Sequence, residues 1–367
     1  MADIRLQRMA HVLVNYSLGV KKGDRMAIMA GPAAAPLIRE AYREALRAGA
    51  YPETFISMPG TGEILLKEGN DDQLRHIASS QRLVIEEYET MLQIFSNENT
   101  KGLSGVNPER MALSQQSQQE LLKTYMQRSA SGALRWSIAM FPTNAYAQDA
   151  NMSLSDFEEF VYRACFLNEE DPIAHWQEIF QQQEHLIQWL KGKKTVHVIG
   201  PDTDLTLSIE GRPFINDDGK KNFPGGEFFT SPVETSANGY IRYSFPASFG
   251  GRSVEDVRLR FENGTVVEAR AAQGQDYLDK MLSMDEGAKR LGEFAFGNNP
   301  NVDRCTKNVL FDEKMGGTIH LALGAGFSEA GGSNQSALHW DMVCDLRQSS
   351  EVRVDGELFR KDGKFVV

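Results

Sequence analysis

The chain of 367 residues has only three cysteines, Cys165, Cys305 and Cys344, and they are widely spaced. An odd number of cysteines without a Cys-x-x-Cys pair argues against a disulfide scaffold and indicates reduced thiols. Long apolar runs are also missing. None approaches the roughly 18 residues that a membrane span needs, and the N-terminal stretch MADIRLQRMAHVLVNYSLGV lacks the apolar core of a signal peptide. We therefore expect a soluble cytoplasmic protein without a membrane partner.

Positive charge is scarce as well, with 39 Lys and Arg against 50 Asp and Glu and a net charge of −11. No basic stripe with interleaved aromatic residues is present, so we expect no nucleic-acid partner. The remaining composition, 41% hydrophobic and 24% charged, is that of an ordinary globular protein. Because the length exceeds the usual size of a single domain, we expect two domains.

Helix and strand patterns alternate through the first half of the chain. The predicted strands are 25–30, 51–58, 82–89 and 135–142. The predicted helices are 4–18, 34–50, 71–80 and 107–129, followed by a helical connector over 145–190. This βαβα alternation predicts an N-terminal α/β domain, 1–192, with a mainly parallel sheet covered by helices.

The second half has a different character, because short strand-like runs separated by glycine turns dominate it. Near the end, the pairs Asp355-Gly356 and Asp362-Gly363 lie between alternating segments and predict two hairpin turns. We therefore expect residues 193–367 to form an α+β domain rich in strands.

One candidate site is the triplet His339-Trp340-Asp341. On a strand, side chains alternate between faces, so His339 and Asp341 would point to one side and Trp340 to the other. An imidazole beside a carboxylate is a good pair of metal ligands, and equally a structural hydrogen bond. The triplet alone leaves both interpretations open.

Three further polar residues favour a metal site. His320 and His339 flank one glycine-rich loop, and glycines allow the backbone to approach a ligand closely. Glu227 and Glu293 each lie in an apolar, glycine-bounded context, where a carboxylate needs a cation or must be neutralised. With Asp341, these residues make a set of O and N ligands that suits Zn²⁺, Co²⁺ or Mn²⁺, and a shared carboxylate would let the set hold two ions.

Several segments resemble peptidase family M29, the metal-dependent aminopeptidases of the aminopeptidase T type. The segments are GGEFFTSPVETSANGYIRYSFPASFGGR, LGEFAFGNNPN and GTIHLALGAG…GGSNQSALHWDMVCDL, and the resemblance extends along essentially the whole chain. It implies two divalent ions in the C-terminal domain, ligated by Glu227, Glu293, His320, His339 and Asp341. It also implies a homodimer that encloses its active sites.

The resemblance further implies an enzyme that removes N-terminal amino acids from peptides with a free N-terminus, through a water activated by two metal ions that share Glu227 or a water. A loop carboxylate, Glu329, is our candidate for moving a proton to the leaving amine. One position departs from the family: Phe327 stands where such aminopeptidases typically have a tyrosine regarded as catalytic. A phenyl ring cannot donate a hydrogen bond, so Ser328, Tyr240 or Tyr243 would have to supply the donor.

Two alternatives stay open. His320, His339 and Asp341 alone make the two-His-one-carboxylate set of non-haem Fe(II) oxygenases, and ring-cleaving dioxygenases acting on dihydroxypyridines are distantly similar to the family. Against this stand Glu227 and Glu293, which an oxygenase would not need. The other alternative, suggested by Phe327, is a weak or repurposed homologue that binds metal and peptide without efficient turnover.

Overall fold

A computed structural model of the protein describes residues 3–367. Contacts divide the chain into two compact units, the first running to Ala174 and including Gly219–Phe223, and the second formed by His175–Asp218 and Pro224–Val367. This division lies before the predicted boundary at residue 192, and it assigns the short segment 219–223 to the first unit. The domain limits themselves remain a prediction. Within residues 3–367 every helix is too short or too polar to cross a bilayer.

Twelve α-helices are present among the described residues. They are α1 (Ile4–His11), α2 (Ala35–Arg47), α3 (Thr61–Glu68), α4 (Asp71–Arg75), α5 (Ser79–Glu87), α6 (Pro108–Ser117), α7 (Gln119–Ala130), α8 (Asn144–Asp149), α9 (Leu154–Ala164), α10 (Pro172–Leu190), α11 (Gln275–Leu282) and α12 (Val309–Asp312). A π-helical segment, Val12–Ser17, continues α1, and short 3-10 helices occur at Pro32–Ala34, Gly287–Lys289 and Ser328–Ala330.

Twenty strands accompany these helices within the same residues. They are β1 (Arg25–Ala30), β2 (Tyr51–Ile56), β3 (Thr90–Phe95), β4 (Arg135–Met140), β5 (Thr195–Gly200), β6 (Thr203–Ser208), β7 (Ile215–Asp217), β8 (Asn222–Phe223), β9 (Glu227–Thr230), β10 (Asn238–Tyr243), β11 (Ala247–Phe249), β12 (Arg252–Val254), β13 (Val257–Glu262), β14 (Thr265–Arg270), β15 (Leu291–Gly297), β16 (Thr318–Gly324), β17 (His339–Asp345), β18 (Glu351–Val354), β19 (Glu357–Lys361) and β20 (Lys364–Phe365).

The first unit is an α/β fold around a five-stranded sheet in the order β2-β1-β3-β4-β8. Every neighbouring pair in this sheet is parallel, which confirms the parallel sheet predicted from the alternating pattern. The helix predicted over 107–129 is present as α6 and α7, which meet at Gln118. The predicted helical connector is also confirmed, as α8, α9 and α10.

The strand predicted at 82–89 is wrong, because this segment belongs to α5 and the strand is the next segment, β3. A strand would bury alternate residues, yet the adjacent Val84 and Ile85 are both buried. Val84, Ile85 and Tyr88 all pack in core clusters. Spacings of three and four residues place Val84 and Ile85 on the same helical side as Tyr88. The apolar run is too short to distinguish the helical period of about 3.6 residues from the strand period of about two.

The second unit is rich in antiparallel strands, as expected. An eight-stranded sheet has the order β14-β13-β10-β6-β5-β18-β19-β20, and a five-stranded sheet has the order β17-β16-β15-β9-β7. Both predicted Asp-Gly hairpins are confirmed, one between β18 and β19 and the other between β19 and β20. Apolar residues of both sheets join in one core, which fixes the five-stranded sheet against the larger one.

The two faces of the five-stranded sheet differ in character. One face contributes large apolar side chains to the core: Phe228, Phe294, Phe296, Ile319, Leu321, Leu323, Trp340 and Met342. Because side chains alternate along a strand, the intervening residues lie on the opposite face. There the central strands carry the small residues Ala295, Gly297 and Ala322, which leave room above the sheet.

A β-bulge in β15 allows Leu291 to join the core while Glu293 points to the opposite face. Regular alternation would put these two residues on the same face. The register between β15 and β16 shifts between them, and the residue at the shift is Gly292. A side chain at Gly292 would collide with the carbonyl oxygen of Ala325, so only glycine fits this bulge.

Arg360 on β19 is a buried cation that donates to backbone carbonyls at the ends of the strands that carry the candidate site. Its guanidinium donates to the oxygens of Thr318 at 2.7 Å, Gly297 at 2.9 Å and Gly363 at 3.1 Å. Burial lowers the pKa of Arg360 to about 9. The side chain therefore connects β19 to the end of β15 and to the start of β16.

Replacing Arg360 with methionine is expected to lower the free energy of unfolding by about 3 kcal/mol or more, because buried carbonyls lose their donors at about 1–3 kcal/mol each. For a unit of this size that corresponds to a fall in Tm of about 6–12 °C. Thermal unfolding measures it. Arg353→Met, at a partly exposed arginine of the same sheet, is the control and should change stability by less than about 0.5 kcal/mol. Equal Tm values for the two variants would contradict this role for Arg360.

Candidate metal centre

All five ligands predicted from the sequence lie on the small-residue face of the five-stranded sheet, on adjacent strands. Ala322 of β16 pairs with Glu293 on one side and with Asp341 on the other. His320 precedes Ala322 by two residues on the same face, and His339 pairs with Gly324, two residues after it. Glu227, at the start of β9, is paired with Gly297 of β15.

Glu227, Glu293 and His320 form a first set, which is buried. Nε2 of His320 lies 3.4 Å from Oε2 of Glu227 and 3.5 Å from Oε1 of Glu293. Two ligands of one tetrahedral ion with bonds of ~2.1 Å lie about 3.4 Å apart. The first set therefore has the spacing of atoms that share one ion.

Glu293, His339 and Asp341 form a second set with the same spacing, and it is more exposed. Nε2 of His339 lies 3.4 Å from Oε2 of Glu293 and 3.6 Å from Oδ2 of Asp341. Glu293 thus presents one carboxylate oxygen to each histidine. Among the predicted ligands, Glu293 is the one that spans the two sets.

Three buried atoms at this site have no hydrogen-bond partner: Oε2 of Glu227, Nε2 of His320 and Oδ1 of Asp341. Buried polar atoms are nearly always satisfied, so atoms left without a partner and facing one another need an explanation. Carboxylate oxygens and an imidazole nitrogen are ligands of Zn²⁺, Co²⁺ and Mn²⁺. The residues of this site therefore fit divalent metal ions.

Both histidine rings are oriented by backbone carbonyls. Nδ1 of His320 lies 3.1 Å from the oxygen of Glu313, and Nδ1 of His339 lies 2.9 Å from the oxygen of Ala325. A carbonyl oxygen only accepts hydrogen bonds, so each Nδ1 carries the proton. This leaves Nε2 of each ring facing the carboxylates, which is the arrangement of metal-ligating histidines.

The carboxylates control the protonation of the site. Burial opposes the charged form of His320, but the negative charges of Glu227 and Glu293 raise its pKa to about 10. Burial likewise opposes the charge of His339, whereas Asp341 and Glu293 raise its pKa to about 10. Burial also opposes ionisation of Glu293, yet the two histidines that face its oxygens lower its pKa to about 2. Burial raises the pKa of Glu227 well above its ordinary range, against the attraction of Lys314 and His320. Without metal, the site therefore pairs the histidinium rings with the Glu293 carboxylate at neutral pH.

Metal binding is expected to release protons at pH 7, because Nε2 of each histidine must lose its proton before it can bind an ion. Metal affinity should therefore rise with pH up to about pH 10. The same raised pKa values stabilise the metal-free fold below about pH 6.5, and this stabilisation is lost as the pH approaches 10. Calorimetric Zn²⁺ titrations in two buffers with different ionisation enthalpies measure the release. Binding without proton release would contradict this protonation scheme.

Sequence reasoning missed three charged residues beside the first set: Asp217, Glu313 and Lys314. Lys314 is fully buried, and its Nζ forms ion pairs with Asp217 at 3.0 Å, with Glu227 and with Glu313. Glu313 also forms a third group of candidate ligands with His320 and Asp341. The triplet Asp312-Glu313-Lys314 looks like an ordinary charged turn in the sequence, so no signal separates it from surface residues.

The glycine-rich loop between β16 and β17 is anchored to the segment that follows β9. The backbone N–H of Phe327 donates to Oγ of Ser231 at 3.0 Å. The backbone N–H and hydroxyl of Ser333 both donate to Glu234 at 2.7 Å. A Cβ at Gly332 would lie 2.6 Å from Oγ of Ser231, so glycine is required for this close approach. These contacts hold Phe327 beside the site.

Phe327 lies where a loop residue can contact the second set. Its ring centroid is 5.0 Å from the ring of His339 and 5.2 Å from the ring of Phe229. Both phenylalanines are half-buried, so they form an apolar wall beside His339.

The other predicted catalytic candidates are not in the ligand groups found among residues 3–367. Glu329 and Ser328 are exposed in the 3-10 helix of the loop. Tyr243 is buried in the hydrophobic core, and Tyr240 is 49% exposed on the same strand, β10, of the eight-stranded sheet.

Comparison with known proteins gives one family match along the chain. The family model described as thermophilic metalloprotease (M29) matches residues 2–366. Aminopeptidase T from Thermus thermophilus is 27% identical over 391 aligned positions, which cover 96% of this chain and 94% of that protein.

Two solved structures share the fold. Wild-type AmpT from Thermus thermophilus superimposes with a TM-score of 0.86 at 24% identity, covering 99% of each chain. The 2,5-dihydroxypyridine dioxygenase from Pseudomonas putida KT2440 superimposes with a TM-score of 0.62 at 16% identity, covering 99% of this chain and 97% of that one. At these identities each likeness establishes the fold alone.

Proposed function

The chain belongs to peptidase family M29, the thermophilic metalloproteases, and on that premise we propose that it is a metal-dependent aminopeptidase that removes N-terminal amino acids from peptides. The observation that carries the proposal is the pair of ligand sets that share Glu293. The name of the Thermus relative, aminopeptidase T, supports the same reaction.

Two divalent ions are the proposed cofactor, one held by Glu227, Glu293 and His320 and the other by Glu293, His339 and Asp341. Glu293, rather than Glu227, is then the shared carboxylate, because each of its oxygens lies within 3.5 Å of a different histidine. Glu313 is a further ligand candidate, because it lies within reach of His320 and Asp341.

Charge supports two ions rather than one. Five carboxylates lie within 4.0 Å of Lys314 or of a site histidine: Asp217, Glu227, Glu293, Glu313 and Asp341. Burial raises the pKa values of Asp217, Glu227 and Glu313 in the metal-free site. When bound metal keeps all five carboxylates ionised, Lys314 balances one of the five negative charges. Two divalent ions balance the other four. A single divalent ion would leave an excess of buried negative charge, which is costly.

Divalent ions held by these residues would lower the pKa of bound water toward about 7 and would polarise the substrate carbonyl. The residues of the chain orient the rest of the reaction. His339 is 31% exposed whereas His320 is fully buried, so the peptide N-terminus enters beside His339 and Asp341. Glu329 remains the proposed group that moves a proton to the leaving amine, and Phe327 offers that step no hydrogen-bond donor.

The finer assignments are also proposals. We propose Zn²⁺, Co²⁺ or Mn²⁺ as the ions, because oxygen and imidazole ligands suit all three. The free state of Cys165, Cys305 and Cys344 supports a cytoplasmic location. The resemblance supports a homodimer.

The oxygenase alternative, with His320, His339 and Asp341 around one Fe(II), is less well supported. Nε2 of His320 is 4.0 Å from Asp341 but closer to both Glu227 and Glu293. Two extra carboxylates inside the site favour the two-ion arrangement.

Hydrolysis of aminoacyl-p-nitroanilides tests the proposed function. Protein stripped of metal should be inactive, and reloading with Zn²⁺, Co²⁺ or Mn²⁺ should restore release of p-nitroaniline. His339→Ala should lose one ion and the activity. Full occupancy of both metal sites in this variant would contradict the ligand assignment. Two bound ions without hydrolysis of any substrate would identify a repurposed homologue, and Fe(II) with oxygen would be tested next.

A further inference from the structure

Lys314 follows α12 in the turn that leads to β16. Within residues 3–367, the side chains that form ion pairs with Glu227 are those of Lys314 and His320. Its side chain is fully buried. Burying a charged lysine costs free energy unless partners compensate it, and here Asp217, Glu227 and Glu313 surround the ammonium. Burial lowers the pKa of Lys314, but these carboxylates raise it well above its ordinary value, so the group stays charged.

The two oxygens of Glu227 have different partners. Oε1 accepts from Nζ of Lys314, whereas Oε2 faces Nε2 of His320 at 3.4 Å. The backbone of Glu227 is already fixed, because its carbonyl oxygen accepts from the buried Gln183 at 2.9 Å and its strand is paired on both sides. What remains free is rotation of the carboxylate, and the bond from Lys314 determines it.

The segment Glu313–Lys314 also orients His320, since the carbonyl oxygen of Glu313 accepts from Nδ1 of that ring. One short turn thus touches two members of the first ligand set. In the described part of the chain, no ion pair of Lys314 reaches Glu293, His339 or Asp341, so Lys314 itself has no ion pair with the second set. Its neighbour Glu313 does lie within reach of Asp341.

We propose that Lys314 is a positioning residue for one of the two ions: it occupies Oε1 of Glu227, leaves only Oε2 for ligation beside His320, and makes that ion's site distinct from the other. This inference rests on the metal site of the proposed function. It predicts an effect confined to the ion at Glu227, Glu293 and His320, which general loss of structure would not produce.

Co²⁺ titration of the metal-free protein, followed by visible absorption and by calorimetry, tests the proposal. In Lys314→Met, the Glu227 carboxylate loses the hydrogen bond that orients it, so one ion should bind at least about tenfold more weakly. Its absorption should also change, because Co²⁺ bands weaken as the coordination number rises above four. The other ion should keep the affinity and spectrum that it has in the unaltered protein.

Two further variants separate positioning from charge and folding. Asp217→Asn removes a partner of Lys314 that contacts no site histidine, so both ions should bind as in the unaltered protein. Lys314→Met combined with Asp217→Asn keeps the net charge of the cluster, which protects folding, and should still show the altered ion.

Three outcomes would overturn the proposal: unchanged affinity and spectrum in both Lys314 variants, equal weakening of both ions, or loss of the first ion in Asp217→Asn alone. Unaltered protein that binds no Co²⁺ would instead refute the metal site itself. Failure of this inference and failure of the proposed function are therefore distinguishable.

Discussion

Glu293→Gln is expected to abolish binding of both metal ions and to lower peptide hydrolysis by about 10³-fold or more. The carboxylate belongs to both ligand sets, with one oxygen within 3.5 Å of each histidine. Glutamine has nearly the same shape but only one oxygen and no charge, so neither ion keeps its full set of ligands. Metal content after dialysis and the rate with an aminoacyl-p-nitroanilide measure the two effects.

Two comparisons make this result specific. His339→Ala should lose one ion and retain the other, because it removes a ligand of the second set only. Glu357→Gln makes the same chemical change at an exposed residue that pairs with Lys193, and it should leave metal content and rate unchanged. One ion retained by Glu293→Gln would contradict the sharing of this carboxylate.

Phe327→Tyr is expected to raise kcat by about 10²-fold or more without changing metal content. The ring lies 5.0 Å from that of His339, so an added hydroxyl brings a hydrogen-bond donor to the exposed side of the second set. A donor that stabilises a developing oxyanion typically contributes about 10²–10³ in rate. Steady-state kinetics with the metal-loaded variant measure the gain.

Phe229→Tyr is the matched control, because its ring packs against Phe327 at 5.2 Å and is likewise half-buried. The control adds the same hydroxyl to the same apolar wall, and its kcat should change little. If Phe327→Tyr is no faster than the unaltered protein, the missing hydroxyl does not limit the reaction, and the substitution marks a different substrate or step.

The sequence alone was sufficient to predict features that depend on the spacing of side chains within one strand or helix. Alternation on a strand placed His339 and Asp341 on one face and Trp340 on the other, and the structure agrees. The βαβα pattern predicted the parallel sheet for a similar reason. The segment 82–89 shows the limit, because a short apolar run fits both periods and only its packing in α5 decided between them.

The parts that sequence missed depend on contacts between distant segments. Lys314 and Asp217 are far apart in the chain, and nothing local marks either as buried. Glu293 was predicted as a ligand, but its central position follows from the bulge at Gly292, which regular alternation does not include. The proposal that Glu293 is the shared carboxylate could therefore be made only with the structure.

Anomalous diffraction at the zinc edge from crystals of the Zn²⁺-loaded protein would show whether two ions share Glu293. We predict two peaks, one on each side of the Glu293 carboxylate, about 3.5–4 Å apart. One peak would lie beside Nε2 of His320 and the other beside Nε2 of His339. A single peak enclosed by His320, His339 and Asp341, with Glu227 and Glu293 outside its coordination sphere, would contradict the two-ion site and the hydrolase built on it.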